Sequence, residues 1–169
     1  MIIRFLNRPS GNFFTACKVG TNLIVAIKRT NLDKQPNEYL RTILNEIAVM
    51  RLSTHPNVVS CINSFLHEND LWLVMEHIEG GTLTDVVTVS LMNEGQIAAV
   101  SKGTCMGVEH LHRHGIIHGD IRGEIVLLSL RGDVQTLGFA LAKGLIRGLT
   151  RCPNPSSRIF TYYPFLDVS

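Results

Sequence analysis

The sequence predicts an α+β fold in which a small, mainly antiparallel sheet carrying one helix is followed by a mainly helical segment. Three observations predict it. Short runs enriched in β-branched and aromatic residues, punctuated by turn residues, fill the first half except for one amphipathic stretch. The second half is dominated by a long helical stretch, "NEGQIAAVSKGTCMGVEHLHRHG". At 169 residues, with 45% hydrophobic and 18% charged residues, the chain has the size and composition of one soluble globular domain with a real core.

Taken in order, "NFFTACKVG" and "TNLIVAIKRTNL" read as two short strands around a turn containing Gly20. "NEYLRTILNEIAVMRL" places Leu40, Ile43, Leu44, Ile47 and Met50 at helical spacing and is an amphipathic helix. "NVVSCINSFLHEND" and "LWLVMEHI" form a strand pair turning at Glu68-Asn69-Asp70, and Gly80-Gly81 break the second strand. A short helix over "LTDVVTV" precedes the long one, in which Gly103 and Gly107 each cost about 1 kcal/mol relative to Ala. "EIVLLSL" and "DVQTLGF", joined at Arg131-Gly132, read as a two-stranded ribbon. The tail "TRCPNPSSRIFTYYPFLDVS" has no sustained period, and its Pro and Ser residues suggest loop.

A formal charge of +2 is too small to argue for a nucleic-acid or membrane surface, and neither partner is expected. Cys17, Cys61, Cys105 and Cys152 are widely spaced and form no C-x-x-C pair, so they read as reduced, partly buried thiols of a cytoplasmic protein. "MIIRFLNRPSG" has too short an apolar run for a membrane span or a signal sequence.

"VAIK" at 25–28 sets Lys28 on a strand, on the face opposite Ile27, and Glu46 lies on the following helix. A buried Lys–Glu pair of this kind orients an ammonium toward nucleotide phosphates; a solvated Lys and a solvated Glu are the plain alternative. "IIHGDIRGEIVLL" at 116–128 adds an H-x-D triplet, His118-Gly119-Asp120. In a loop H-R-D-x-x-x-x-N the Asp receives a substrate hydroxyl's proton and the Asn holds magnesium. His110, His112, His114 and His118 cluster in sequence but match no common zinc spacing, so no metal site is assigned, and His118 reads as a core histidine positioning the loop. Thr150 and Ser156 carry no flanking pattern of a regulatory site.

From about residue 10 to 143 the chain resembles the catalytic domain of the PAK family, the Rho-GTPase-activated serine/threonine kinases of the sterile-twenty group. The resemblance rests on "VAIKRTNLDKQP", "NEIAVMR", "HPNVVSCINSFL", "DLWLVMEHIEGGTLTDVV" and "NEGQIAAV". It implies a protein-kinase-like architecture: an N-terminal lobe over about 1–75 with a five-stranded antiparallel sheet and one helix, a hinge over about 76–81, and a partial helical C-terminal lobe over about 82–143. Residues 144–169 form a tail outside the resemblance. By the same resemblance, Lys28 contacts ATP phosphates and pairs with Glu46, and Met75 is the gatekeeper. Backbone groups of Glu76 and Ile78 bind adenine, Ala26 and Leu127 sandwich the ring, and Asp120 is the catalytic base.

The departures carry the functional reading. Of the family's glycine-rich loop only Gly11 survives; Leu6 and Arg8 stand at the earlier glycines and should crowd the phosphates. Phe13 replaces the valine that caps adenine, and two extra residues between Gln35-Pro36 and the helix threaten the phase of Glu46. Gly119 and Arg122 replace the loop's arginine and lysine. Ile125 replaces the magnesium-binding Asn, and in "GFALAK" at 138–143 Gly138 replaces the metal-binding Asp and Ala140 the following Gly. Magnesium binding is therefore not expected, and electrostatic stabilisation of the transferred phosphoryl group is lost with it.

After Lys143 the family's activation segment, A-P-E motif and later helices are not found. Ile97, Val100, Val108 and Leu111 are then expected to lose their cover, forfeiting roughly 6–12 kcal/mol at about 1.5–3 kcal/mol per side chain. That rivals a whole domain's stability of about 5–15 kcal/mol. Ile159, Phe160, Tyr162, Tyr163 and Phe165 of the tail are candidates to cover the face. The leading expectation is a pseudokinase or protein-binding module, with weak ATP binding through Lys28 and the hinge left open. An active PAK-type serine/threonine kinase using Asp120 is one alternative, and the non-functional product of a decayed gene is another. A related kinase is the partner suggested by analogy, and no GTPase-binding segment is visible.

Overall fold

The computed structural model describes residues 3–5, 12–33, 35–139 and 142–144. Strands β1 (Ile3–Phe5), β2 (Phe13–Lys18), β3 (Ile24–Asn31), β4 (Cys61–His67) and β5 (Asp70–Glu76) form a five-stranded sheet in the order β1-β2-β3-β5-β4. Every pairing is antiparallel. Alternation sorts β3 cleanly. Val25 and Ile27 are fully buried with Ala16, Phe65, Trp72 and Val74 on one face. Ala26 and Lys28 point the other way and pair with Met75 and Leu73 of β5. On that face Leu71, Leu73 and Met75 pack against Ile43, Ile47 and Met50 of α1 (Asn37–Leu52). Strand β5, flanked by β3 and β4, is therefore buried on both faces, which explains its nearly unbroken apolar run.

The helix α1 covers the predicted stretch, and its Ile43, Ile47 and Met50 are buried as the period requires. The second lobe opens with α2 (Leu83–Val89) and α3 (Glu94–Arg113). Each begins with a capping box, Thr82 with Asp85 and Asn93 with Gln96, which satisfies amide groups that the first turn leaves unpaired. After α3 come β6 (Ile116–Ile117), a 3-10 turn at Gly123–Ile125, the hairpin β7 (Val126–Leu128) with β8 (Val134–Thr136), and β9 (Lys143–Gly144), which pairs with β6. The ribbon is as expected. Strand β5 stops at Glu76, ahead of Gly80-Gly81, and neither β1 nor the β6–β9 pair was legible as a strand pattern.

The glycines of α3 have a packing reason. A Cβ at Gly103 would lie 2.6 Å from the Val134 side chain, and one at Gly107 would lie 2.6 Å from the Asn57 carbonyl oxygen. The helix approaches β8 and the loop before β4 so closely that only glycine fits. The expected exposure of α3 is correspondingly revised. Leu111 is fully buried with Val58, Ile116 and Phe139, and Val100 packs on the cluster of Ile125, Val126, Leu128 and Val134. The described chain itself covers them. Ile97 remains 52% exposed and Val108 half-buried. Cys17 and Cys61 are half-buried free thiols, whereas Cys105 is exposed on α3. No helix among the described residues is long and apolar enough to cross a membrane. Cys152, Thr150, Ser156 and the apolar residues of the tail lie outside the described residues.

Candidate nucleotide cleft

The period-two face of β3 and the buried stripe of α1 bring Lys28 and Glu46 together. The Lys28 ammonium donates to Glu46 Oε2 at 2.8 Å and to Oε1 at 3.0 Å. Glu46 is only 3% exposed, so its carboxylate depends on this cation for its compensation. The helix α1 begins at Asn37, directly after Pro36, so no loop separates Gln35-Pro36 from it, and Glu46 nevertheless meets Lys28.

A cavity of about 260 Å³ opens between the sheet and the β7–β8 hairpin. Ala26, Met75, Glu76, Ile78 and Leu127, all implicated by the sequence, line it, and so does Phe13. Met75 is buried, and Ala26 and Leu127 are half-buried. Lys28 and Glu46 do not line this cavity. Gly11, Leu6, Arg8 and Ala140 lie outside the described residues. Val59, His77, Thr82, Glu124 and Leu137 complete the wall and were not anticipated. Thr82 and Leu127 form an isolated antiparallel bridge, so the cap of α2 is pinned against the cavity floor. Val59 and Leu137 come from segments without regular period, which carry no pattern to find them by.

The H-x-D loop is held by its histidine. His118 is 2% exposed, its Nδ1 accepts the Asp120 amide at 3.3 Å, and its Nε2 lies 2.9 Å from the Leu137 carbonyl. An Nδ1 that accepts leaves the proton on Nε2, which donates to Leu137, so the imidazole is neutral and bridges the loop to β8's exit. Burial pushes its pKa down, against the raising effect of the Leu137 carbonyl and the Asp120 carboxylate. Asp120 is half-buried and meets Arg122 Nε at 3.3 Å; Arg122 also stands 4.0 Å from Glu124.

Ile125 and Gly138 stand where the resemblance expects the oxygen ligands of magnesium. Ile125 is 7% exposed and packs with Val126, Leu128 and Val134. Gly138 has φ +84°, and a Cβ placed on it would lie 2.9 Å from Ile125 Cγ2. The side chain standing in the Asn position therefore occupies the space into which a side chain at 138 would grow. A branched alkyl group and a hydrogen atom offer no oxygen to a hard cation. Next to Gly138, Phe139 is fully buried and packs 5.0 Å from the His118 ring. Asn45 of α1 donates to the Ala142 carbonyl at 2.6 Å, tying this segment to the helix that carries Glu46.

The histidine cluster resolves differently from its spacing. His110 stacks between His55 and His114, with centroids 4.6 Å and 4.4 Å away, while His118 sits apart in the core. No group of three or more His, Cys, Asp or Glu side chains is disposed to hold a metal ion among the described residues.

The family model for the protein kinase domain matches residues 9–162. The chain is 57% identical over 130 residues to serine/threonine-protein kinase SMU1 of Mycosarcoma maydis, covering 77% of this chain and 17% of that protein. It is 54% identical over 138 residues to serine/threonine-protein kinase STE20 of Yarrowia lipolytica, covering 82% of this chain and 12% of that protein. It is 44% identical over 142 residues to serine/threonine-protein kinase shk1/pak1 of Schizosaccharomyces pombe, covering 84% and 21%. The chain thus spans between 12% and 21% of the lengths of these relatives. A sheet-and-helix lobe carrying the Lys28–Glu46 pair, a hinge, an H-x-D loop and these matches together establish that the chain belongs to the protein kinase family, among the STE20/PAK serine/threonine kinases.

Proposed function

We propose that the chain is a pseudokinase, a cytoplasmic module that keeps the kinase scaffold for binding and does not transfer phosphate. The observation that carries this reading is the contact at Ile125 and Gly138. Both metal-ligand positions are apolar, and they are packed against each other. Without magnesium, nothing offsets the charge that develops on a transferred phosphoryl group, and each 1.4 kcal/mol of lost stabilisation is about a factor of ten in rate. Asp120 still supplies a base, but a base does not replace that term. The half-buried free thiols Cys17 and Cys61 fit a reducing compartment. A related full-length kinase is the partner that analogy favours. Weak binding of ATP at the hinge is compatible with the cavity.

The intact Lys28–Glu46 pair and the retained Asp120 favour one second reading, an active PAK-type kinase passing the ATP γ-phosphate to a protein hydroxyl. Incubation of the chain with magnesium, labelled ATP and a generic protein substrate separates the two. No incorporation above that of Asp120→Asn is the expected result. Magnesium-dependent incorporation abolished by Asp120→Asn would establish the enzyme.

A further inference from the structure

We propose that the aromatic run of the chain's own tail, residues 159–166, lies along the open side of α3. The proposal stands apart from the question of phosphate transfer.

The helix α3 carries apolar residues on two adjoining sides, and the described residues cover one of them. Val100, Gly103, Gly107 and Leu111 recur at helical spacing and face the β7–β8 hairpin and the segments beside it. Ile97, Thr104, Cys105, Val108 and His112 recur at the same spacing on the next side round. There the last four join Ile121 in lining a groove of about 630 Å³. Ile97, Cys105, His112 and Ile121 are exposed, and Val108 is half-buried. A helix whose apolar arc extends past its buried stripe in this way calls for a second packing partner.

The tail starts at one end of that groove. Arg113, the last residue of α3, also lines it. Only His114 and Gly115 separate α3 from β6, and β6 pairs with β9 at Lys143–Gly144, where the described chain hands over to the tail. The stretch 145–159 can reach up to about 50 Å at about 3.3 Å per residue, so the run beyond it has access to the whole of α3. In "RIFTYYPFL", six of the eight residues 159–166 are Ile, Phe, Tyr or Leu, side chains that carry large areas to bury. Pro164 favours an extended course over a helical one. Extended, residues 159–166 span about 23 Å, against about 22 Å for α3 from Ile97 to His112. The protein kinase domain match runs to residue 162 and so continues into this run.

The size of the surface favours a tethered segment over a second copy of the chain. The strip is about 22 Å long and about 10 Å across, small against the roughly 800 Å² per partner that a stable dimer buries. A tethered segment needs less area, because its effective concentration is on the order of millimolar.

Cys105 lies in the groove and reports its cover. Alkylation of the full chain by iodoacetamide, followed at each cysteine by mass spectrometry of the digest, measures that cover. Native Cys105 should react about tenfold or more slowly than in urea, although the described residues leave it exposed. The variant Phe160→Ser/Tyr163→Ser/Phe165→Ser should bring its rate to within about threefold of that in urea. Cys61, whose burial pushes its pKa up, should stay slow and serves as the control for an intact fold. If the triple variant lacks a cooperative melt, Phe160→Ser alone should speed Cys105 by about threefold over the parent. Native Cys105 reacting as fast as in urea would overturn the proposal. So would protection that survives the tail substitutions, or protection that grows with chain concentration, which would give the face to a second copy.

Discussion

Restoring a metal ligand at position 138 should unfold the protein more readily before it helps any metal bind. The variant Gly138→Asp meets two obstacles. The backbone there has φ +84°, a region that costs an L-residue about 1 kcal/mol even when it is Asp, one of the better-tolerated types. The new Cβ would also lie 2.9 Å from Ile125 Cγ2, a side chain that is 7% exposed and hemmed in by Val126, Leu128 and Val134. Overpacking of that kind costs about 1–3 kcal/mol. The expected loss is about 2–4 kcal/mol, or about 4–16 °C in Tm at 2–4 °C per kcal/mol for a chain of this size. Thermal unfolding of Gly138→Asp, Ile125→Asn and the double variant closes a mutant cycle. Removing the Ile125 methyl relieves the clash, so the Gly138→Asp change should cost at least about 1 kcal/mol less in the Ile125→Asn background. The double variant, with both oxygens restored, is also the one whose melt should shift when magnesium is added with ATP. Costs that add within about 0.5 kcal/mol would refute the claim that the two positions share one space.

The Lys28–Glu46 pair should be asymmetric to mutation. Lys28→Met strands a carboxylate that is 4% exposed and should cost about 2–4 kcal/mol, whereas Glu46→Leu leaves an ammonium 26% exposed that water reaches and should cost less; chemical denaturation of the two variants measures the difference. Gly103→Ala and Gly107→Ala should each destabilise by about 1–3 kcal/mol in the same assay, although Ala is the better helix former by about 1 kcal/mol, because their Cβ atoms would enter Val134 and the Asn57 carbonyl. Acid should weaken the fold through His110 and His118. Burial holds both pKa values below the ordinary 6.5, so the unfolded chain takes up protons that the folded one refuses. Their contribution is complete above pH 6.5 and declines as the pH falls through the depressed folded values; Tm plotted against pH should flatten below pH 6.5 in His110→Gln, which removes the central ring of the stack.

What could be read from the sequence is what repeats with a period. The strand alternation at Val25, Ile27 and Lys28 and the helical spacing of Ile43, Ile47 and Met50 each fix a face, and two fixed faces are enough to bring Lys28 to Glu46. Strand register does the same for Ala26 and Met75, which pair directly and share the cavity wall. Val59, Thr82 and Leu137 line the same cavity from a loop, a helix cap and a strand exit, where no period exists to read. Leu111 and Val100 escaped for another reason. Their cover comes from short segments of the chain itself, Ile116 with Phe139 and the β7–β8 hairpin, and elements of two or three residues have too little pattern to announce a packing partner. The histidines show both limits at once. His110 and His114 share a helix face by their spacing, but the third ring of the stack, His55, arrives from the loop before β4.

The contact between positions 125 and 138 shows why separate letters understate a structure. In the sequence, Ile125 and Gly138 are two independent losses, and either looks reversible by one substitution. In the fold they are one contact: Ile125 fills the space beside Gly138, and Gly138 takes a left-handed backbone that needs no Cβ there. Gly138→Asp alone meets the isoleucine, and Ile125→Asn alone puts an amide among Val126, Leu128 and Val134 without the carboxylate it would work with. Each half of the reversal is therefore disfavoured in the absence of the other. On the non-catalytic reading proposed above, packing at Ile125 and the left-handed backbone at Gly138 stand where metal ligands would be, and stability opposes a one-step return.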